Sequence, residues 1–117
     1  MRLRVSRSEL TRVLAGERIT ETIRFAPAPE ATLTYALLRD PHATTTCVHY
    51  TQQEVTVLLA DQQAERWGQD SQVGVYTTVD IPPGLLEVAV EKDFACIDRS
   101  EEENQDTFVN PNGGLVC

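Results

Sequence analysis

Long apolar runs are missing from this sequence. None approaches the roughly 18 residues that a membrane-crossing helix requires. The N-terminus, Met1-Arg2-Leu3-Arg4-Val5, has no apolar stretch of the kind a secretory signal carries. These two absences set the expectation of a soluble, cytoplasmic protein without a membrane partner. Lysine is nearly absent: Lys92 stands alone beside nine arginines. Cysteine is sparse and odd in number, at Cys47, Cys96 and Cys117, which argues against a disulfide framework and for free thiols. Positive charge is outweighed, with a formal net charge of −8, and an acidic chain is repelled by phosphate backbones. No nucleic-acid partner is expected. The sequence also lacks a P-loop, a GxGxxG, an HExxH and a GxSxG, so no motif names a reaction.

What is present fits one small folded unit. The chain has 117 residues, 41% hydrophobic and 24% charged, enough to build one core and too apolar for general disorder. The charge is unevenly distributed. Residues 1–40 hold seven arginines and five acidic residues, whereas residues 41–117 hold three basic and thirteen acidic ones. From residue 98 onward the composition changes to Ser100-Glu101-Glu102-Glu103-Asn104-Gln105-Asp106, then to Asn110-Pro111-Asn112-Gly113-Gly114. We therefore divide the chain into a domain over residues 1–97 and an acidic, turn-rich tail over 98–117 that can pack back on it. The charge split further predicts that residues 98–106 meet the Arg-rich N-terminal part, including Arg2 and Arg4.

Periodicity supplies the elements. Leu3 and Val5 alternate with Arg2 and Arg4, a strand with one buried face. Ser6 and Glu9 have capping-box spacing; Leu10, Val13 and Leu14 follow at helical spacing, and Gly16 suits a C-terminal cap, giving a helix over residues 8–15. Ile19, Ile23 and Phe25 share one face of a second strand, and Leu33, Tyr35 and Leu37 one face of a third. Residues 44–50 and 55–59 read as a hairpin, although the intervening Thr51-Gln52-Gln53-Glu54 lacks the Gly or Asn that tight hairpin turns favour. Asp61 is placed as the cap of a helix over residues 62–67, closed by Gly68. Residues 73–81 and 85–92 are two more strands around the turn Pro82-Pro83-Gly84. The predicted order is β-α-β-β-β-β-α-β-β. Short connections favour antiparallel neighbours. The expected fold is therefore α+β: a mainly antiparallel, strongly curved sheet or flattened barrel of about seven strands, with two short helices and an irregular acidic tail. A two-layer sheet with both helices on one face is the alternative.

The most chemically suggestive residues are Cys47 and His49, which a strand places on the same face. A thiolate and an imidazole suit Zn²⁺ or another transition metal, with Cys96, Cys117, His42 or Asp98 completing the set. Our candidate metal residues are Cys47, His49 and Cys96. The plainer reading, favoured by the absence of CxxC or HxxxH spacing, makes Cys47 a small packing residue and His49 a surface one. The same pair read as nucleophile and base lacks an orienting third group. Arg2 and Arg4 share a face that could grip a phosphate or carboxylate, although solvation or contact with the acidic tail is the simpler role. Glu91-Lys92-Asp93 reads as an exposed strand edge, and Trp67 as a core anchor.

The segment Glu91-Lys92-Asp93-Phe94-Ala95-Cys96, the acidic residues 101–106, and Phe108 with Asn110 and Pro111 together resemble a signature of a family of small, acidic, uncharacterised bacterial proteins, a domain of unknown function. Trp67 and Gln72-Val73-Gly74 extend the likeness along the whole chain. The resemblance implies a bacterial origin and a single domain, and it implies no reaction. The expected function is that of a non-catalytic binding or accessory domain, with metal binding as its sharpest form. The alternatives are a protein-interaction module, acting on a partner or on a second copy through the tail, and a small enzyme with a pocket inside the curved sheet.

Overall fold

In the computed structural model, which describes residues 1–69, 71–95 and 100–109, nine elements follow one another in the predicted order. They are β1 (Arg2–Val5), α1 (Arg7–Leu14), β2 (Ile19–Arg24), β3 (Thr32–Asp40), β4 (Cys47–Thr51), β5 (Glu54–Ala60), α2 (Asp61–Trp67), β6 (Gly74–Ile81) and β7 (Gly84–Lys92). Local chemistry explains the boundaries of α1. The Ser6 hydroxyl accepts from the Glu9 amide, and the Glu9 carboxylate accepts from the Ser6 amide at 2.9 Å. Gly16, at φ +92°, takes the left-handed conformation after the last turn. Asp61 does not cap α2, contrary to expectation. It is the first helical residue, and its carboxylate is taken by Arg39 instead.

The strands form two sheets, not one barrel. The first has the order β1-β7-β6 and the second β2-β3-β5-β4. Three of the five pairings are antiparallel, and these are the hairpin-joined pairs β2–β3, β4–β5 and β6–β7. The other two, β1–β7 and β3–β5, are parallel, so the expectation of a mainly antiparallel barrel is only partly met. The physical reason is non-local. Strand β4 takes the outer place beyond β5, which leaves β3 and β5 adjacent and running the same way. Strands β1 and β7 come from opposite ends of the domain, and no connection length constrains their direction. The β4–β5 turn is made by Gln52 at φ +45° and Gln53 at φ +67°, the left-handed pair of a two-residue hairpin without its usual Asn or Gly.

The register places both helices at one end. Val5 pairs with Lys92, Ile19 with Leu37, Asp40 with Ala60 and Gly74 with Glu91. At this end Val5, Leu10, Val13, Leu59, Trp67 and Val90 are buried. Arg39 ties the layer together: it donates to Asp61 at 2.7 Å, to Glu65 at 3.0 Å and to the Leu14 carbonyl at 3.4 Å. The three hairpin turns lie at the opposite end, where Ile23 and Phe25 are 40% and 68% exposed and so leave the expected core. No described helix is long and apolar enough to cross a membrane.

Candidate functional site

The two sheets meet through β4 and β6 and open on the other side, where β1 borders one sheet and β2 the other. The opening is a cleft with two parts. A narrow inner part of about 40 Å³ is lined by Leu3, Arg4 and Val5 of β1, by Ile19, Thr20 and Glu21 of β2, and by β3. It continues into a wider outer part of about 580 Å³ toward the hairpin end, lined by Met1, Ile23, Tyr35, Val55 and Leu86. Much of the lining is apolar because odd positions of β1 and β2 face inward, while Arg2, Arg4, Glu9 and Thr20 lie at its margins. Glu21 is the exception, an acidic residue at the apolar parity between Ile19 and Ile23. Glu21 and Tyr35, paired across β2 and β3, line the cleft without a side-chain hydrogen-bond or ion-pair partner among the described residues, and Arg4 stands unpartnered at its rim, at the outward parity of β1. Apolar walls with a few convergent polar groups describe most small-ligand sites. The cleft's lining contains no Ser, Cys or His among the described residues.

Among the described residues, both rims of this cleft are unpaired strand edges. The Met1 carbonyl accepts from the Ala89 amide at 2.9 Å, and the Val5 carbonyl from the Asp93 amide at 2.8 Å. Odd residues of β1 therefore bond to β7, which turns the backbone groups of Arg2 and Arg4 toward the opening. The Phe25 amide donates to the Ala31 carbonyl at 2.7 Å, so odd residues of β2 bond to β3, and Thr20, Thr22 and Arg24 present their backbone groups outward.

Cys47 and His49 lie elsewhere, on the outer face of β4, with Cys47 Sγ 3.8 Å from His49 Nε2. Cys47 is half-buried and His49 exposed. No group of three His, Cys, Asp or Glu that could hold a metal stands together among the described residues. Cys96, Asp98 and Cys117 fall outside the described residues. His42 lies in the loop after β3, its amide donating to Asp40 Oδ1 at 2.9 Å.

The other singled-out residues have structural partners. Arg2 pairs with Glu91 at 3.0 Å on the outer face of the first sheet, and the Tyr76 hydroxyl donates to the same carboxylate at 2.7 Å. That bond holds the Tyr76 pKa above its ordinary value. A Cβ on Gly74 would come within 2.6 Å of the Val90 carbonyl, 3.0 Å of Glu91 and 3.1 Å of the Tyr76 hydroxyl, so only glycine fits beside this strand and its Glu91–Tyr76 pair. Lys92 is not on an exposed edge as the sequence suggested: it is only 4% exposed, because β7 is the central strand and Lys92 continues the inward row of Val88 and Val90. Its Nζ donates to the Gln69 carbonyl at 2.7 Å and stands 5.2 Å from the centre of the Phe108 ring. Trp67 is fully buried, with Nε1 donating to the Val73 carbonyl at 3.1 Å.

The described part of the acidic stretch, residues 100–106, reaches α1 rather than Arg2 or Arg4. Asp106, at φ +63°, accepts from the Ser8 amide at 3.1 Å and from the Ser8 hydroxyl, while its own carbonyl accepts from the Arg7 amide at 2.8 Å. It satisfies free donors at a helix N-terminus. The Ser8 bonds hold its carboxyl below the usual carboxylate range. Phe108 anchors the same segment: its amide donates to Asp93 at 2.9 Å, its carbonyl accepts from Ala95 at 2.8 Å, and its ring lies 6.2 Å from that of Phe94. Glu101, Glu102 and Glu103 stay exposed.

Glu21 and Tyr35 were not recognised as site residues from sequence. The available signal was the acidic residue at an inward position of β2. Comparison with curated proteins and with solved structures finds no match. A family of unknown function (DUF7009) matches residues 1–112, and the chain belongs to that family.

Proposed function

We propose that this chain is a non-catalytic binding domain of the cytoplasm and that the cleft between β1 and β2 is its site. One observation carries the reading: an apolar cleft opens between two strand edges and holds Glu21 and Tyr35 without internal side-chain partners, with Arg4 at its rim. Tyr35 is half-buried, and such polar groups are ordinarily hydrogen-bonded, so its hydroxyl, with the more exposed Glu21 beside it, is a group that a ligand can satisfy. Screening small fragments by methyl NMR tests it. Ligands with an apolar body and a polar end are expected to shift Leu3, Ile23, Val55 and Leu86, and Glu21→Gln is expected to change which polar ends bind. Shifts scattered over the surface, or none at all, would refute the assignment.

A second reading, metal binding, is supported by the shared face and 3.8 Å separation of Cys47 and His49. These supply two of the four ligands of a tetrahedral zinc site, so a second copy or further donors would complete it. Elemental analysis of untagged protein, compared with Cys47→Ser, tests this reading. A metal-free wild type or unchanged occupancy in the variant refutes it.

A further inference from the structure

We infer that the occupant of the cleft is an extended peptide that adds as a strand between β1 and β2, apolar at alternate positions and acidic at the intervening ones. The inference rests on the reading of the cleft as the binding site and names the class of ligand. Two observations lead to it independently of the cleft's apolar lining.

The first is the backbone. On β1 the amides and carbonyls of Arg2 and Arg4 face the opening, and on β2 those of Thr20, Thr22 and Arg24 do so. An exposed strand edge is a template for another strand, and proteins that do not use an edge usually cover, bulge or shorten it. Here two such edges border the same cleft: Arg4 and Thr20 both line its narrow part. A chain lying between them could bond to β1, to β2 or to both, joining the two sheets. Main-chain hydrogen bonds would supply the affinity, and side chains projecting alternately inward and outward would supply the selectivity.

The second is the charge on either side of the inserted strand. The inner rows bordering the opening are Leu3 and Val5 on β1, and Ile19, Glu21 and Ile23 on β2. These accept apolar side chains, with a hydrogen-bond donor at the position facing Glu21. The outer rows are Arg2 and Arg4 on β1, and Thr20, Thr22 and Arg24 on β2. They carry three arginines in a chain whose net charge is −8; Arg2 is already paired with Glu91 of β7, which leaves Arg4 and Arg24 without an ion-pair partner among the described residues. Outward side chains of the inserted strand therefore meet Arg4 on one side and Arg24 on the other, and Asp or Glu there gains from guanidinium pairing. A basic peptide would meet like charge at the outer rows.

The test uses nine-residue synthetic peptides alternating Val, Ile or Phe with Glu, with one Thr in the apolar row to meet Glu21, titrated into the full chain labelled for amide and methyl NMR. Two controls accompany them: the same peptides with Lys in place of Glu, and the same peptides with N-methylated backbone at alternate residues. The expected result is that Arg4, Thr20 and Thr22 amides shift and become protected from exchange. The Lys peptides should bind at least tenfold more weakly, and N-methylation should abolish the amide protection. Arg4→Glu should weaken binding at least tenfold. Thr22→Pro, which removes a free-edge donor and no β2–β3 backbone bond, should weaken it as well; Thr22→Val, which loses the same hydroxyl bond to Thr34 but keeps the amide, should bind as the wild type does and separates the edge donor from any folding defect. Shifts limited to cleft methyls, equal for the N-methylated peptides, would overturn the strand-addition inference while leaving the cleft as a binding site. Failure of every peptide together with failure of the apolar dye anilinonaphthalene sulfonate would overturn both. Concentration-dependent protection of Arg4 and Thr22 in the protein alone would overturn the inference in favour of a second copy at these edges.

Discussion

The two ends of the molecule carry equally apolar strands and bury them very differently. At the helix end, α1, α2 and the segment around Phe108 cover the space between the sheets, and Val13, Leu59, Trp67 and Val90 have no exposure. At the hairpin end nothing among the described residues covers the corresponding space, and Phe25 and Leu85 are 68% and 72% exposed. Strand alternation is the same in both places. Burial is decided by what lies across the ends, which is a property of the assembled fold.

That contrast sets the scale of the responses to mutation. Trp67→Ala removes a fully buried side chain and its bond to Val73. It should destabilise by about 3–5 kcal/mol in chemical denaturation; a loss below about 1 kcal/mol would mean that the helix end is not the core. Arg39→Leu should cost about 1–3 kcal/mol, because charge-assisted bonds to Asp61 and Glu65 and a bond to Leu14 are lost together. The two carboxylates stay solvated, so no buried charge is stranded. Gln52→Gly should stabilise by about 1 kcal/mol, since glycine tolerates the left-handed φ of +45° that Gln52 adopts. Phe25→Ser, at the exposed end, should change stability by no more than about 0.5 kcal/mol.

The docking of residues 100–109 is smaller in effect and depends on pH. Asp106 is held below the usual carboxyl value of 3.8 by Ser8. A depressed folded-state pKa means that the stabilisation is complete above the unfolded value and lost as pH falls through the lower folded one. The Ser8 amide should therefore keep its protection near neutral pH and lose it only below about pH 4. Asp106→Asn should remove that pH dependence from the Ser8 amide signal.

Much of the element order was legible because local chemistry wrote it. The Ser6–Glu9 capping box, Gly16 and the Pro82-Pro83-Gly84 turn each act within a few residues. Strand pairing was not legible: nothing in β1 or β7 marks them as parallel partners 87 positions apart in register, as Arg2 with Ala89 shows. The β4–β5 turn was hard to place because Gln52 and Gln53 are not the residues that left-handed φ selects. Lys92 reads as a surface residue in any linear pattern, and its burial follows from the central position of β7. The cleft was only half visible. Its apolar residues appeared as core because alternation cannot distinguish a core face from the wall of an opening, whereas Glu21 at that parity was the one local sign.

The claim on which the rest depends is that the edges of β1 and β2 are free. Amide hydrogen exchange of the protein alone tests it most directly. The amides of Leu3 and Val5, and of Glu21 and Ile23, should be protected, whereas those of Arg4, Thr20 and Thr22 exchange at rates close to an unstructured chain. Uniform protection along both strands would show that the opening between the sheets is closed in solution, and would contradict the account.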